Sequence, residues 1–313
     1  MSPVAIVTAS DSGIGQESAK ELAENGFDLG ITYRTDEAGA QETLEAVEAA
    51  GRTGEVRQLD LTELPEAADV IDELADSLGG IDVLVNNAGT GDPTGEFLKL
   101  PYKEWRQVID TNLSGAFLCA QRAARRMVEA RNGGRIINIT SVHEHIPRTG
   151  APAYCSSKGG LGLLTKVMAM ELAEYGILVN AVGPGEISTP MTGAEDEDPT
   201  NIERSSLPLG RPGHTREIAA WVAFLAPEKS TYATGASLVV DGGLMLMAAE
   251  LSSRRATPRT NFEFVAEIPS DAFVEGPVTV GEGEPLPVTV VRFFWVTIFL
   301  VAPEVVHSSV YAQ

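Results

Sequence analysis

Short apolar runs recur along this chain, each followed by a stretch with helical spacing, and that alternation narrows the possible folds more than any other feature. Val4-Ala5-Ile6-Val7, Asp28–Tyr33, Val56–Leu59, Ile81–Val85, Arg135–Thr140, Ile177–Val182 and Leu238–Val240 read as strands. Between them, Gly13 to about Glu24, Leu64–Leu78, Tyr102–Ala130, about Tyr154–Tyr175 and Thr215–Phe224 carry helical patterns. Strands that alternate with helices build a sheet covered by helices, with ligands bound at the carboxyl edge of the strands. The pattern runs through residues 1–247 and stops there.

Charge and cysteine content remove several functional classes. A formal net charge of −21 over 313 residues, with no long basic run, argues against nucleic acid or an anionic membrane surface as partner. The two cysteines, Cys119 and Cys155, lack metal-ligand spacing and fit a reduced, cytoplasmic protein. The sequence opens directly on a strand pattern, with no signal-peptide pattern before it.

Four groups of residues carry chemistry. The first is Thr8-Ala9-Ser10-Asp11-Ser12-Gly13-Ile14-Gly15, which joins a strand to a helix. Glycines there let the backbone approach a phosphate, and the helix start offers unpaired N–H groups and positive partial charge. The second is Tyr33-Arg34-Thr35-Asp36 at the end of the next strand, where an arginine could pair with a 2′-phosphate and an acid with a 2′-hydroxyl. NADP(H) is favoured on Arg34, and NAD(H) stays possible. The third is Ser141, at the end of an apolar strand, with Tyr154 and Lys158 four residues apart on a helix and so on one face. A cation close to a phenol lowers its pKa, which suits Tyr154 to proton transfer with Ser141 holding the same oxygen. The fourth is His143-Glu144-His145. It lacks the convergent ligands that zinc needs, and no metal is expected.

The Thr-x-x-x-x-Gly-x-Gly spacing from Thr8, Asn86-Asn87-Ala88-Gly89, Asn112, the Ser141/Tyr154/Lys158 set and Gly183-Pro184-Gly185-Glu186-Ile187-Ser188-Thr189 together resemble the short-chain dehydrogenase/reductase family. The resemblance covers about residues 3–247. It implies an α/β fold, a doubly wound Rossmann domain over residues 1–247 with a mostly parallel seven-stranded sheet, and oxidoreductase activity on CH–OH groups. It further implies a catalytic tetrad of Asn112, Ser141, Tyr154 and Lys158. Implied cofactor contacts are Thr8, Ser10, Ser12, Gly13, Ile14, Gly15, Arg34, Asp60, Leu61, Asn87, Ala88, Gly89, Tyr154, Lys158, Pro184, Gly185, Ile187 and Thr189. Ala9 stands where the family usually has its first glycine; if the turn needs positive φ there, alanine costs about 1 kcal/mol or more. Family members assemble as homo-oligomers, so a dimer or tetramer is implied.

Tyr33-Arg34 and Ser141-Val142-His143-Glu144 resemble stretches of bacterial glucose dehydrogenases of this family, and the first turn resembles acetoin or diacetyl oxidoreductases. Ser141, His143 and Tyr154 are the expected substrate contacts. Acidic residues at Glu144, Glu186 and Glu195–Asp198, the last within a possible lid, predict a small uncharged polar substrate such as a sugar, polyol or hydroxyketone. The alternatives are a 3-oxoacyl thioester reductase, a non-catalytic nucleotide sensor, and a halohydrin-dehalogenase-like lyase; Lys158 and the glycine turn weigh against the last. Residues 248–313 form an extension without an expected function. Its apolar run Val288–Ala302 falls short of the ~20 residues of a spanning helix and, rich in Val, Thr, Ile and Phe, reads as strand.

Overall fold

In a computed structural model of the chain, seven strands form one all-parallel sheet in the order β3-β2-β1-β4-β5-β6-β7. The strands are β1 (Val4–Val7), β2 (Asp28–Tyr33), β3 (Gly54–Gln58), β4 (Val83–Asn86), β5 (Gly134–Ile139), β6 (Ile177–Pro184) and β7 (Ser237–Val240). Seven α-helices join them: α1 (Gly13–Glu24), α2 (Glu37–Ala49), α3 (Val70–Leu78), α4 (Tyr102–Ile109), α5 (Gly115–Ala130), α6 (Pro152–Leu172) and α7 (Thr215–Leu225). The structure describes residues 2–93, 95–193, 198–227 and 229–247, and the backbone of 273–275, 288–293 and 296–301. Packing divides the chain into two units, Met1–Arg255 and Ala256–Gln313.

Every residue of β1 and β4 is buried, because helices cover both faces of the sheet. One core packs β1, β2 and β4 against α1, α2 and α7 through Leu22, Leu29, Ile31, Val85 and Val222. The other packs the opposite face against α3 and α5 through Ile6, Ile71, Leu74, Leu84 and Met127. Helix α1 buries Gly15, Ser18, Ala19, Leu22 and Ala23, one stripe at helical spacing. The stripe on α5 is mostly small residues, Ala116, Cys119, Ala120, Ala123 and Ala124, so this helix lies close to the sheet. Sequential strands run outward from β1 to β3, and the chain then returns to place β4 on the other side of β1. That reversal opens a crevice at the carboxyl ends of β1 and β4.

The segment from Tyr102 to Ala130 is not one uniform helix as its pattern predicts. A π-helical turn, Asp110–Ser114, separates α4 from α5. The cause is Asn112, whose amide accepts from the Thr90 N–H at 2.7 Å and donates to the Thr90 carbonyl at 2.9 Å and Ser157 Oγ at 3.0 Å. These bonds pull the side chain inward, and the wider turn accommodates it.

In the second unit, β8 (Phe273–Glu275), β9 (Val288–Phe293) and β10 (Val296–Val301) form an antiparallel sheet in the order β10-β9-β8. Val296 pairs with Phe293 in a hairpin inside the apolar run that reads as strand from its β-branched residues. The rest of the extension, and Glu195–Glu197 of the expected lid, lie outside the described residues.

Candidate active site

A cavity of about 860 Å³ occupies the crevice. Its walls include Ser12, Gly13 and Ile14 from the first turn, Asn87 and Gly89 after β4, and Ser141 and His143 after β5. Tyr154 and Lys158 on α6, with Pro184, Gly185, Ile187 and Thr189 after β6, complete it. Residues from four separate stretches of the sequence, up to 177 positions apart, thus meet in one space.

The first turn is held by hydrogen bonds that face away from that space. Thr8 Oγ1 accepts the N–H groups of Asn87 and Ala88, both at 2.9 Å, and Asn87 Nδ2 donates to the Thr8 and Ala9 carbonyls. Ser10 Oγ donates to the Val7 carbonyl at 2.9 Å and accepts the Thr32 N–H at 3.0 Å. Both hydroxyls are buried, so Thr8 and Ser10, expected as cofactor contacts, clamp β1 to its neighbours and do not line the cavity. Gly15 cannot carry a side chain: a Cβ would stand 2.0 Å from the Ala9 carbonyl oxygen.

Ala9 sits at φ 51° and Gly13 at φ 56°. The turn therefore does need positive φ at position 9, at a cost of about 1–2 kcal/mol for alanine. Ala9→Gly relieves that strain but loosens the unfolded chain by about 0.4–1 kcal/mol. A net gain of roughly 0.5–1 kcal/mol is expected, read as a higher denaturant midpoint with an unchanged slope. A lower midpoint would mean that the alanine methyl, at the cavity wall, supplies packing that outweighs the strain.

The cavity suits a dinucleotide. The start of α1 has no side-chain cap and no acid in its first turn, so among the described residues no side chain caps the Gly13, Ile14 and Gly15 N–H groups, which suit a pyrophosphate. Lys158 Nζ gives one hydrogen bond, to the Ile139 carbonyl at 2.8 Å, and an ammonium has two more to give. A Cβ on Gly89 would lie 3.5 Å from both Lys158 Nζ and Asn112 Oδ1, so the glycine keeps that wall open.

After β2 and β3, Arg34 Nε lies 3.3 Å from Asp60 Oδ2. Burial raises the Asp60 carboxyl, but the Thr62 amide and hydroxyl and the Arg34 charge together outweigh it and hold the group below its ordinary value. Asp36 caps α2 through the Gly39 N–H. Arg34, Asp60 and Leu61 do not line the cavity. The Leu61 side chain is buried in the core, where a Cβ on Gly115 would meet it at 2.8 Å, so only its backbone is left for a ligand. Ala88 likewise packs on that core.

After β5, the Ser141 side chain stands near enough to the Tyr154 phenol to favour its ionised form. Ser141 Oγ accepts the His143 N–H at 3.2 Å, which fixes its rotamer. Lys158 Nζ is 5.8 Å from the Tyr154 ring centroid. The expected lowering of the phenol pKa is not what this geometry gives. Burial pushes the Tyr154 phenol above its ordinary value, against smaller opposing effects of Ser141 and the Arg148 charge. Lys158 itself is held down to about 8 by burial, so its charge is gone in the pH range where a phenol titrates.

Asp92 and Arg148 both line the cavity and escape sequence reasoning. Asp92, in the loop after β4, accepts the N–H groups of Ala153 at 3.1 Å and Tyr154 at 2.8 Å. It caps α6 from 62 positions away and fixes the backbone of Tyr154. The signal in the sequence is indirect, since α6 begins after Ala151, a residue with no capping side chain.

The expected acidic surroundings are also rearranged. The Glu144 side chain is 4% exposed, accepts from Ser237 Oγ at 3.0 Å and lies 3.7 Å from His145 Nε2, outside the cavity lining. Glu186 reaches the cavity paired with Arg204 at 2.7 Å. Arg148 lines it too, beside Asp92 and Glu186, so side chains of both charges face this space. Among the described residues no group of three or more His, Cys, Asp or Glu side chains is placed to hold a metal.

Known proteins of similar sequence and fold agree on one family. The profile of a family described as Enoyl-(Acyl carrier protein) reductase matches residues 8–245. Uncharacterized oxidoreductase YohF of Escherichia coli (strain K12) is 53% identical over 246 residues, 79% of this chain and 97% of that protein. Glucose 1-dehydrogenase 2 of Bacillus subtilis (strain 168) is 34% identical over 248 residues, 79% and 96% of the two chains. The crystal structure of acetoin dehydrogenase YohF from Salmonella typhimurium superposes with a TM-score of 0.74 at 52% identity, covering 83% of this chain and 99% of that one.

Proposed function

The chain belongs to the short-chain dehydrogenase/reductase family, and from that premise we propose that it interconverts a carbonyl and an alcohol on a small polar substrate with a nicotinamide cofactor. The observation that carries this reading is the meeting of Ser141, Tyr154 and Lys158 with the glycine turn in one cavity. When bound, the nicotinamide supplies the hydride chemistry. Tyr154 gives its proton to the substrate oxygen during reduction, and its raised pKa keeps that proton in place at neutral pH. Ser141 Oγ hydrogen-bonds the same oxygen, on which negative charge develops. Lys158 has spare N–H groups for a ribose hydroxyl, and Asn112 holds the turn that backs this wall.

Relatives named acetoin dehydrogenase and glucose dehydrogenase support a hydroxyketone, polyol or sugar. The acyl carrier protein in the family description favours a second reading, a thioester reductase. A chain with net charge −21 offers little attraction to an acidic carrier domain. A spectrophotometric screen with both nicotinamide cofactors separates the two. Sugars, polyols and acetoin should turn over well above acetoacetyl thioesters and hydroxy acids, and the reverse order would reject the small-substrate reading.

NADP(H) is the proposed cofactor. Asp60 engages Arg34 at Nε, which leaves the terminal guanidinium nitrogens to pair with a 2′-phosphate. Arg34→Ala should weaken NADPH binding by about 1.5–3 kcal/mol and NADH binding far less, measured by fluorescence titration. Equal losses would shift the assignment to Asp36 and NAD(H). Exposed Phe117, Leu163, Val167 and Met170 on α5 and α6 support assembly with further copies, as a dimer or tetramer. The free thiols of Cys119 and Cys155 are compatible with a reducing cytoplasm. Residues 1–247 are taken as the catalytic domain and 248–313 as an appended one.

A further inference from the structure

The ring of His143 is oriented by a single hydrogen bond, Nδ1 to the Ile146 carbonyl oxygen at 3.1 Å. A carbonyl only accepts, so the proton of that bond belongs to Nδ1. In the neutral ring the other nitrogen, Nε2, is then a bare acceptor. Burial favours the neutral ring, lowering its pKa below 6.5, and the Arg148 charge adds to this. Nε2 has no hydrogen-bond partner among the described residues, and the side chain lines the same cavity as Ser141 and Tyr154. The His143 and Tyr154 rings meet edge to face with centroids 6.1 Å apart. Both side chains line one cavity, in which two oxygens on adjacent carbons can each take a hydrogen bond of about 2.8 Å.

The loop that presents His143 is anchored on both sides. Ser141 Oγ accepts the His143 N–H, and buried Glu144 is tied to Ser237 on β7. An acceptor held this firmly distinguishes a hydroxyl, which donates, from a ketone oxygen, which does not. Arg148, which also lines the cavity, offers only donors and cannot replace it, and both oxygens of Asp92 already accept from the start of α6.

We propose that His143 is a specificity-determining residue whose Nε2 accepts a hydrogen bond from a hydroxyl on the carbon next to the reacting one, so that the enzyme interconverts vicinal diols and α-hydroxyketones. This rests on the reading of the site as a nicotinamide-dependent oxidoreductase, and names its substrate class. For oxidation, Tyr154 first releases its phenol proton to solvent; a hydride then leaves one carbinol carbon for oxidised nicotinamide, and the phenolate takes the proton of that carbon's hydroxyl. The neighbouring C–OH keeps its proton and its bond to His143. A diketone has no such proton, and a simple ketone has no second oxygen, so either leaves Nε2 desolvated without a donor.

The test compares acetoin, butanone and diacetyl as substrates for the full chain, wild type, His143→Phe and His143→Gln. In the phenylalanine variant the kcat/KM ratios of acetoin to butanone and of acetoin to diacetyl should each drop about tenfold, the effect of one hydrogen bond. The glutamine variant, with an amide oxygen as acceptor, should recover much of both ratios. Imidazole ¹⁵N spectra give a readout independent of turnover. The signals lost in His143→Phe should report an Nδ1–H tautomer, and the Nε2 resonance should move on adding acetoin to the cofactor complex but not on adding butanone. An Nε2–H tautomer, or an equal fall for all three substrates, would overturn the proposal and leave His143 a structural residue. Turnover of carbonyls without a preference for the hydroxyketone would reject the proposal while the oxidoreductase reading stands. Cofactor binding with no turnover of any carbonyl would remove both.

Discussion

Tyr154→Phe is expected to lower kcat by about 10²–10⁴-fold while cofactor affinity stays near the wild-type value. The variant keeps the ring and its packing and loses only the hydroxyl, which lines the cavity beside Ser141. Because burial holds the phenol above its ordinary pKa, wild-type Tyr154 is protonated at neutral pH and ready to donate during reduction. Stopped-flow reduction with fluorescence titration of the cofactor separates chemistry from binding. Near-normal turnover would take Tyr154 out of the mechanism, and a parallel loss of cofactor affinity would make it a binding residue.

The second large effect is expected at Lys158, where activity and stability should move in opposite directions. Its ammonium is buried with one hydrogen bond, to the Ile139 carbonyl, and burial holds its pKa at about 8 against an ordinary 10.5. At about 1.4 kcal/mol per pKa unit, charging it in place costs the fold on the order of 3 kcal/mol. Lys158→Met removes that cost but leaves the Ile139 carbonyl without its donor, a loss of about 1 kcal/mol. The variant should therefore be about 2 kcal/mol more stable than wild type at pH 7 and nearly inactive. The sign of the pH dependence follows from the lowered pKa. Below about pH 8 both folded and unfolded chains carry the proton and the penalty is fully present. Between there and 10.5 only the unfolded chain binds it, so wild-type stability rises with pH and the gap between the proteins closes. Urea unfolding at neutral pH and near pH 10 tests this. A variant less stable than wild type at pH 7 would mean that the buried charge is better compensated than one hydrogen bond implies.

Much of the fold is legible in the sequence because the central strands are buried on both faces. A run such as Val4-Ala5-Ile6-Val7 must then be apolar throughout and can hardly be mistaken for a surface segment. The residues that meet in the cavity are legible for a related reason. Gly13, Ser141, Tyr154 and Lys158 stand at strand ends or helix starts, and a parallel sheet gathers all such ends on one edge. Side-chain direction is what stays hidden. Thr8 and Ser10 lie in the phosphate-binding turn, yet their hydroxyls turn inward to hold β1 to β2 and β4. Glu144 is next to a cavity residue and is itself buried against Ser237, while Arg148, three residues after the loop's Glu-His pair, brings a positive charge to the site. The capping of α6 by Asp92 depends on a contact across 62 positions that no local pattern encodes. Asn112 is intermediate: an asparagine in a helical stretch signals something unusual, but the π turn follows only once Thr90 and Ser157 are known as its partners.

The central claim is that this cavity transfers a hydride between a nicotinamide and a substrate carbon, with Tyr154 handling the proton. NADPH deuterated at the transferable position of the nicotinamide C4, mixed with acetoin and the full chain, tests it most directly. The product diol should carry deuterium on the new carbinol carbon with wild type, seen by NMR and mass spectrometry, and almost none should form with Tyr154→Phe. Diol formed without deuterium on carbon, or with equal incorporation in the phenylalanine variant, would contradict the account.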